Sequence, residues 1–134
     1  MPRYLHTSIF VSNMAESIDF YTAKLGLSLL GGPDHYPGNA DMAFVGSDWN
    51  AYIELVYDLE EHPPYQIGNR YEHLAIEVEG DLEPLCERLK AQGVTVLRGP
   101  KKSPGGTRSI AFIEDPNGIP VELLEPKRPQ AGGS

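Results

Sequence analysis

Apolar and polar residues alternate through Tyr4-Leu5-His6-Thr7-Ser8-Ile9-Phe10-Val11, which predicts a half-buried strand. The period then lengthens. Ile18, Phe20, Tyr21 and Leu25 fall on or near one helical face, so a helix is expected over 14–25. Ser12 or Asn13 would cap it and Gly26 would stop it. Strand-like runs follow near 27–30, 42–46 and 51–57. The second half reads the same way. A strand over 71–78 leads to a helix over 82–92, with Leu82, Leu85, Cys86 and Leu89 apolar and Gly93 as the stop. Strands near 94–98, 108–114 and 119–124 complete it, and Asp115-Pro116-Asn117-Gly118 is a turn that joins the last two as a hairpin. Residues 31–40 and 58–69 are Gly/Pro/Asp-rich and read as loops, the second linking two modules. Residues 126–134 are polar and Pro/Gly-rich and read as a disordered tail.

The halves also match residue by residue. Tyr4, His6, Ile9 and Val11 coincide with Tyr71, His73, Ile76 and Val78 at an offset of 67. Gly26 and Leu30 coincide with Gly93 and Leu97. At an offset of 68, Ala43-Phe44-Val45 falls on Ala111-Phe112-Ile113, and Glu54-Leu55 falls on Glu122-Leu123. One inserted residue in the 99–107 loop accounts for the slip. The order is therefore βαβββ twice, an α+β arrangement of tandem modules over about 4–57 and 71–125.

Composition narrows the function classes. The chain has 134 residues, 40% of them hydrophobic, with no apolar run of membrane-spanning length. The N-terminus lacks the apolar stretch of a signal peptide, and Cys86 is the single cysteine. These features lead us to expect a reducing, cytoplasmic setting. A formal net charge of −8 argues against nucleic acid or an anionic membrane as a partner.

The repeat puts chemistry at matched places. His6 and His73 take the same position on the first strand of each half, and Glu54 and Glu122 the same position on the last. Both glutamates sit in strongly apolar runs, Ile53-Glu54-Leu55-Val56 and Val121-Glu122-Leu123-Leu124, where a carboxylate needs a partner or a metal. If the halves pack about a pseudo-twofold axis, the four side chains converge. Two imidazoles and two carboxylates suit Zn, Ni, Co or Mn. His35 and His62 have no repeat partner and read as solvated loop residues.

The stretches His6-Thr7, Ser17-Ile18-Asp19-Phe20-Tyr21, Leu25-Gly26-Leu27, Ala43-Phe44-Val45-Gly46, Ile53-Glu54-Leu55 and Tyr71-Glu72-His73-Leu74-Ala75 form one pattern. It continues through Gly105-Gly106-Thr107 and Phe112-Ile113-Glu114-Asp115-Pro116-Asn117-Gly118 to Glu122-Leu123. It resembles glyoxalase I (lactoylglutathione lyase) of the vicinal oxygen chelate superfamily. The resemblance implies a single domain over 1–125 made of two paired modules, with the cavity closed between modules in a homodimer. It implies His6, Glu54, His73 and Glu122 as ligands of one divalent metal, Ni(2+) or Co(2+) favoured and Zn(2+) the alternative. The reaction implied is isomerisation of the hemithioacetal of methylglyoxal and a thiol, with Glu122 as the first choice of base and Glu54 serving the opposite face. Related epimerases carry Gln where this chain has Glu54, and extradiol dioxygenases use three protein ligands. A drug-sequestering protein of the same fold would not need all four ligands.

Two positions depart from the pattern. Phe10 shares the face of His6, and Asp58 shares that of Glu54. Glutathione-using relatives commonly carry Arg and Asn at these places, where they hold the glutathione backbone. Phe10 offers no fork for a carboxylate and Asp58 repels one. Lys101, Lys102 and Arg108 are candidates to supply the positive charge, or else are solvated loop and edge-strand residues. The thiol is therefore glutathione or another thiol.

Overall fold

The structure is a computed structural model, and it describes residues 1–60, 64–103, 105–106 and 108–126. The chain divides into two compact units, Met1–Gln66 and Ile67–Ser134. The first runs β1 (His6–Phe10), α1 (Met14–Asp19), a π-helical turn (Phe20–Lys24), β2 (Ser28–Tyr36), β3 (Ala40–Asp48) and β4 (Ala51–Asp58). The second runs β5 (Leu74–Glu77), α2 (Leu82–Ala91), β6 (Val96–Lys102), β7 (Ser109–Glu114) and β8 (Pro120–Leu124). The expected order, βαβββ twice, is the one observed. Each unit holds a four-stranded sheet, ordered β1-β4-β3-β2 in the first and β5-β8-β7-β6 in the second. In both, the first strand runs parallel to the last, and the last three strands are antiparallel neighbours.

Alternation assigns the faces. Ala43, Val45, Ile53 and Leu55 are buried, as are Phe20 and Tyr21, and α1 and the π-helical turn pack on β3. In the second unit Ala111, Ile113, Val121 and Leu123 are buried, with Leu82, Cys86 and Leu89 of α2. The opposite face of each sheet is left uncovered within its own unit, and it carries His6, Phe44 and Glu54 in one and His73, Phe112 and Glu122 in the other. Among the described residues, no helix is long and apolar enough to cross a membrane.

Several boundaries differ from expectation. The first helix ends its α-geometry at Asp19, and Leu25 N–H bonds back five residues to Phe20 O at 3.1 Å. Thr22 Oγ1, which donates to Ile18 O at 2.6 Å, sits at this widened turn. Asn13 is the cap, its Oδ1 accepting the Glu16 N–H at 2.9 Å. Residues 31–40 are not a loop. Asp34, His35 and Tyr36 pair with Met42, Asp41 and Ala40 after two register shifts that absorb Gly31, Gly32 and Pro33. His35 thus belongs to β2, where its Nδ1 lies 3.2 Å from Asp41 Oδ1. The strand expected near 94–98 likewise runs on to Lys102 through matching shifts. His73 stands one residue before β5 rather than within it. The ladder begins at Leu74–Val121, and the residue before Val121 is Pro120, which has no N–H to donate. The Asp115–Gly118 turn is as expected, with Asp115 Oδ1 accepting the N–H groups of Asn117 and Ile119 at 2.8 and 2.9 Å. His62 and 127–134 of the expected tail lie outside the described residues.

Candidate metal centre

The parallel register of β1 on β4 places His6 beside Tyr52 and Ser8 beside Glu54. His6 Nε2 lies 2.8 Å from Glu54 Oε2, and the imidazole stacks on Tyr52 with ring centroids 4.8 Å apart. The Ser8 hydroxyl donates to Glu54 Oε1 at 2.7 Å. In the second unit His73 Nε2 lies 3.4 Å from Glu122 Oε1. Here the register sets Ala75 beside Glu122, so the place of the Ser8 hydroxyl is taken by a methyl group. Phe44 and Phe112 are the antiparallel neighbours of Glu54 and Glu122. The Phe112 ring also meets His73 edge-on at 5.3 Å.

All four side chains are part-buried. The glutamates are 18% exposed and the histidines 32% and 27%, which shields each pair while leaving it reachable. His73 Nδ1 faces Glu72 Oε1 at 2.9 Å, the arrangement that fixes tautomer and ring orientation in a ligating imidazole. His6 Nδ1 is buried and has no hydrogen-bond partner among the described residues, an unsatisfied group of the kind folds retain at functional sites.

These pairs fit a divalent metal. Donors about 2.1 Å from one ion stand about 3.0 Å apart at a right angle and about 3.4 Å apart at a tetrahedral angle. The nitrogen–oxygen separations of 2.8 and 3.4 Å span that range. Hard carboxylate oxygen with borderline imidazole nitrogen selects the metals named from the sequence. Within each unit the donors number two. No group of three or more His, Cys, Asp or Glu gathers there among the described residues.

The remaining sequence candidates lie as follows. Phe10 is 53% exposed and stacks face to face with Tyr65 at 5.2 Å. Asp58 closes β4 and accepts the Glu60 N–H at 2.9 Å. Lys101 and Lys102 are exposed residues of β6, opposite Ile110 and Ser109. Arg108 Nη1 lies 3.4 Å from Glu77 Oε2, in an ion pair. Sequence reasoning missed Ser8, Tyr52, Glu72 and Arg98. Ser8 was accessible to it, since it lies two residues from His6 on the same face. Arg98 was not, because its role depends on pairing with β7: its guanidinium lies 4.2 Å over the Phe112 ring. With Glu72, His73, Leu97, Phe112 and Pro120 it lines a cleft of about 390 Å³. A second aromatic cluster borders His6, with Trp49 5.2 Å from Tyr52 and 5.4 Å from Phe44.

Known proteins share this architecture. The lactoylglutathione lyase of Neisseria meningitidis (serogroup A) is 41% identical over 130 residues, which cover 93% of this chain and 91% of that one. That of Escherichia coli O157:H7 is 41% identical over 93% of both chains. The trypanothione-dependent glyoxalase I of Leishmania major superposes with a TM-score of 0.78 at 31% identity, over 93% of this chain and 87% of that one. Glyoxalase I from Zea mays gives 0.80 at 30%, and this chain spans 45% of the maize protein's length. A family model for the Glyoxalase/Bleomycin resistance protein/Dioxygenase superfamily matches residues 3–123, nearly the whole of both units. The chain belongs to that superfamily.

Proposed function

We propose that this chain is a metal-dependent glyoxalase I, converting the hemithioacetal of methylglyoxal and a thiol to the hydroxyacyl thioester. The observation that carries this reading is the recurrence of one His–Glu pair at equivalent places in the two sheets. His6, Glu54, His73 and Glu122 would hold one divalent cation, Ni(2+) or Co(2+) in preference to Zn(2+). A homodimer supplies the closed site, with His6 and Glu54 of one protomer joining His73 and Glu122 of its partner. The two modules then act as a single functional domain, in the cytoplasm.

The reaction moves a proton between adjacent carbons, one of them next to a carbonyl. A bound divalent cation supplies Lewis-acid stabilisation of the negative charge that develops on the two vicinal oxygens. Glu122 takes the proton from the first carbon and returns it to the second. Its neighbour Ala75 leaves it free to swing between these positions. Glu54 has one oxygen occupied by Ser8, which fixes its rotamer and suits it to holding the ion or serving the opposite face. Glu72 orients His73, and Phe44 and Phe112 flank the carboxylates with apolar surface that limits water.

The test is to strip the protein with a chelator, reload it with Ni, Co or Zn, and follow thioester formation from methylglyoxal with a panel of thiols. Activity is expected to return, about tenfold higher with Ni or Co than with Zn. Absence of thioester with every metal and thiol would refute the assignment.

A further inference from the structure

The first unit's uncovered face has two ends. Near His6 it is walled by Tyr52, Trp49 and Phe44. The other end is the corner made by Phe10 of β1, Asp58 of β4 and Tyr65. Phe10 is four residues along its strand from His6, and Asp58 four along from Glu54, which puts the corner about 13 Å from the metal-ligand pair. That distance is the reach of the far end of an extended thiol, not of its reacting sulfur.

The corner has a definite chemistry. Phe10 and Tyr65 stack with an interplanar angle of 12°, so they present a flat aromatic surface, and Phe10 is 53% exposed. Asp58 lies on the same sheet face, its carboxylate held by the Glu60 N–H. Its charge is felt at Tyr65, where burial first and then Asp58 raise the phenol's pKa. The surroundings reinforce the sign. Residues 1–66 hold two Lys or Arg (Arg3 and Lys24) against nine Asp or Glu, which is −7 of the chain's −8. Lys24 is paired with Asp19 at 3.7 Å, away from the corner on the helical side. An aromatic surface next to a carboxylate, in an acidic half-molecule, attracts a cation and repels an anion.

We propose that the Phe10–Tyr65–Asp58 corner receives the far end of the thiol cosubstrate, and that the thiol taken there carries an ammonium group rather than a carboxylate. This rests on the glyoxalase reading for the reaction, but the binding claim is separable from it. The ammonium sits against the Phe10 ring and donates to Asp58.

The test compares glutathione with glutathione whose glycine carboxylate, glutamyl carboxylate, or both are converted to 2-aminoethyl amides. Binding of the unreactive S-methyl forms is measured by calorimetry, and kcat/KM with methylglyoxal is measured on the metal-loaded enzyme. At least one amine-bearing form should bind and react about tenfold better than the carboxylate form at low salt. The preference should shrink to about twofold in Asp58→Asn, which keeps an oxygen for the Glu60 N–H, and should fall with added salt. Equal or tighter binding of the plain glutathione form, or a preference unchanged in Asp58→Asn, overturns the proposal. If the amine-bearing S-methyl form binds with the expected preference but no thioester forms, the corner stands and the glyoxalase assignment falls.

Discussion

Glu54 and Glu122 occupy equivalent places in their sheets but keep different company. Ser8 donates to Glu54, whereas Ala75 has nothing to donate to Glu122. The asymmetry assigns the mobile role to Glu122. Glu122→Gln should retain the fold and most of the metal yet lose about a thousandfold in kcat, since an amide cannot accept the proton. Metal content alongside turnover checks this, and near-wild-type turnover would remove Glu122 as the base. His73→Ala removes a donor outright and should release the metal. Equal metal in this variant and the wild type would show that His73 is not a ligand.

The elements are held in register by two short, equivalent irregularities. Gly32-Pro33 in β2 and Gly99-Pro100 in β6 stand at an offset of 67, each with a positive glycine φ and a cis proline bond. A Cβ on Gly99 would lie 2.7 Å from Ile110 O, and the backbone there has φ 84°, so both contact and conformation exclude a side chain. Gly99→Ala should lower unfolding free energy by about 2 kcal/mol, read as a lower urea midpoint. Gly80→Ala meets nothing within 4 Å and should change it by less than about 0.5 kcal/mol. Equal midpoints in the two would mean that the close strand approach at Gly99 is not limiting. The tandem order, the Asn13 cap and the 115–118 turn were legible because each rests on local chemistry. The extension of β2 and β6 was not, because Gly and Pro read locally as breakers and pair only once β3 and β7 are beside them.

Taken as a whole molecule, each unit has one sheet face covered by its own helix and one that is not. The uncovered faces carry the His–Glu pairs together with large half-exposed side chains, among them Phe10 and Trp49. Such faces favour association. Light scattering at micromolar concentration should give twice the chain mass. Mixing inactive His6→Ala and His73→Ala proteins, after unfolding and refolding together, should restore about a quarter of wild-type activity. Half the dimers are mixed, and half the sites in those are intact when pairs join across protomers. No restoration, with dimers present, would place all four ligands within one protomer.

The sequence by itself determined the doubled module, the pairing of His6 with Glu54 and of His73 with Glu122, and the faces they occupy. Period-two alternation and a near-constant offset suffice for that, because a strand's side chains have only two faces to choose from. Tertiary structure decided which residues assist them. Ser8 reaches Glu54 across 46 residues of chain and Arg98 reaches Phe112 across a bulged ladder. Glu125 accepts the N–H of Leu82 at the start of α2, 43 residues away. Such contacts depend on register and strand order, and no local pattern of apolar and polar residues encodes them.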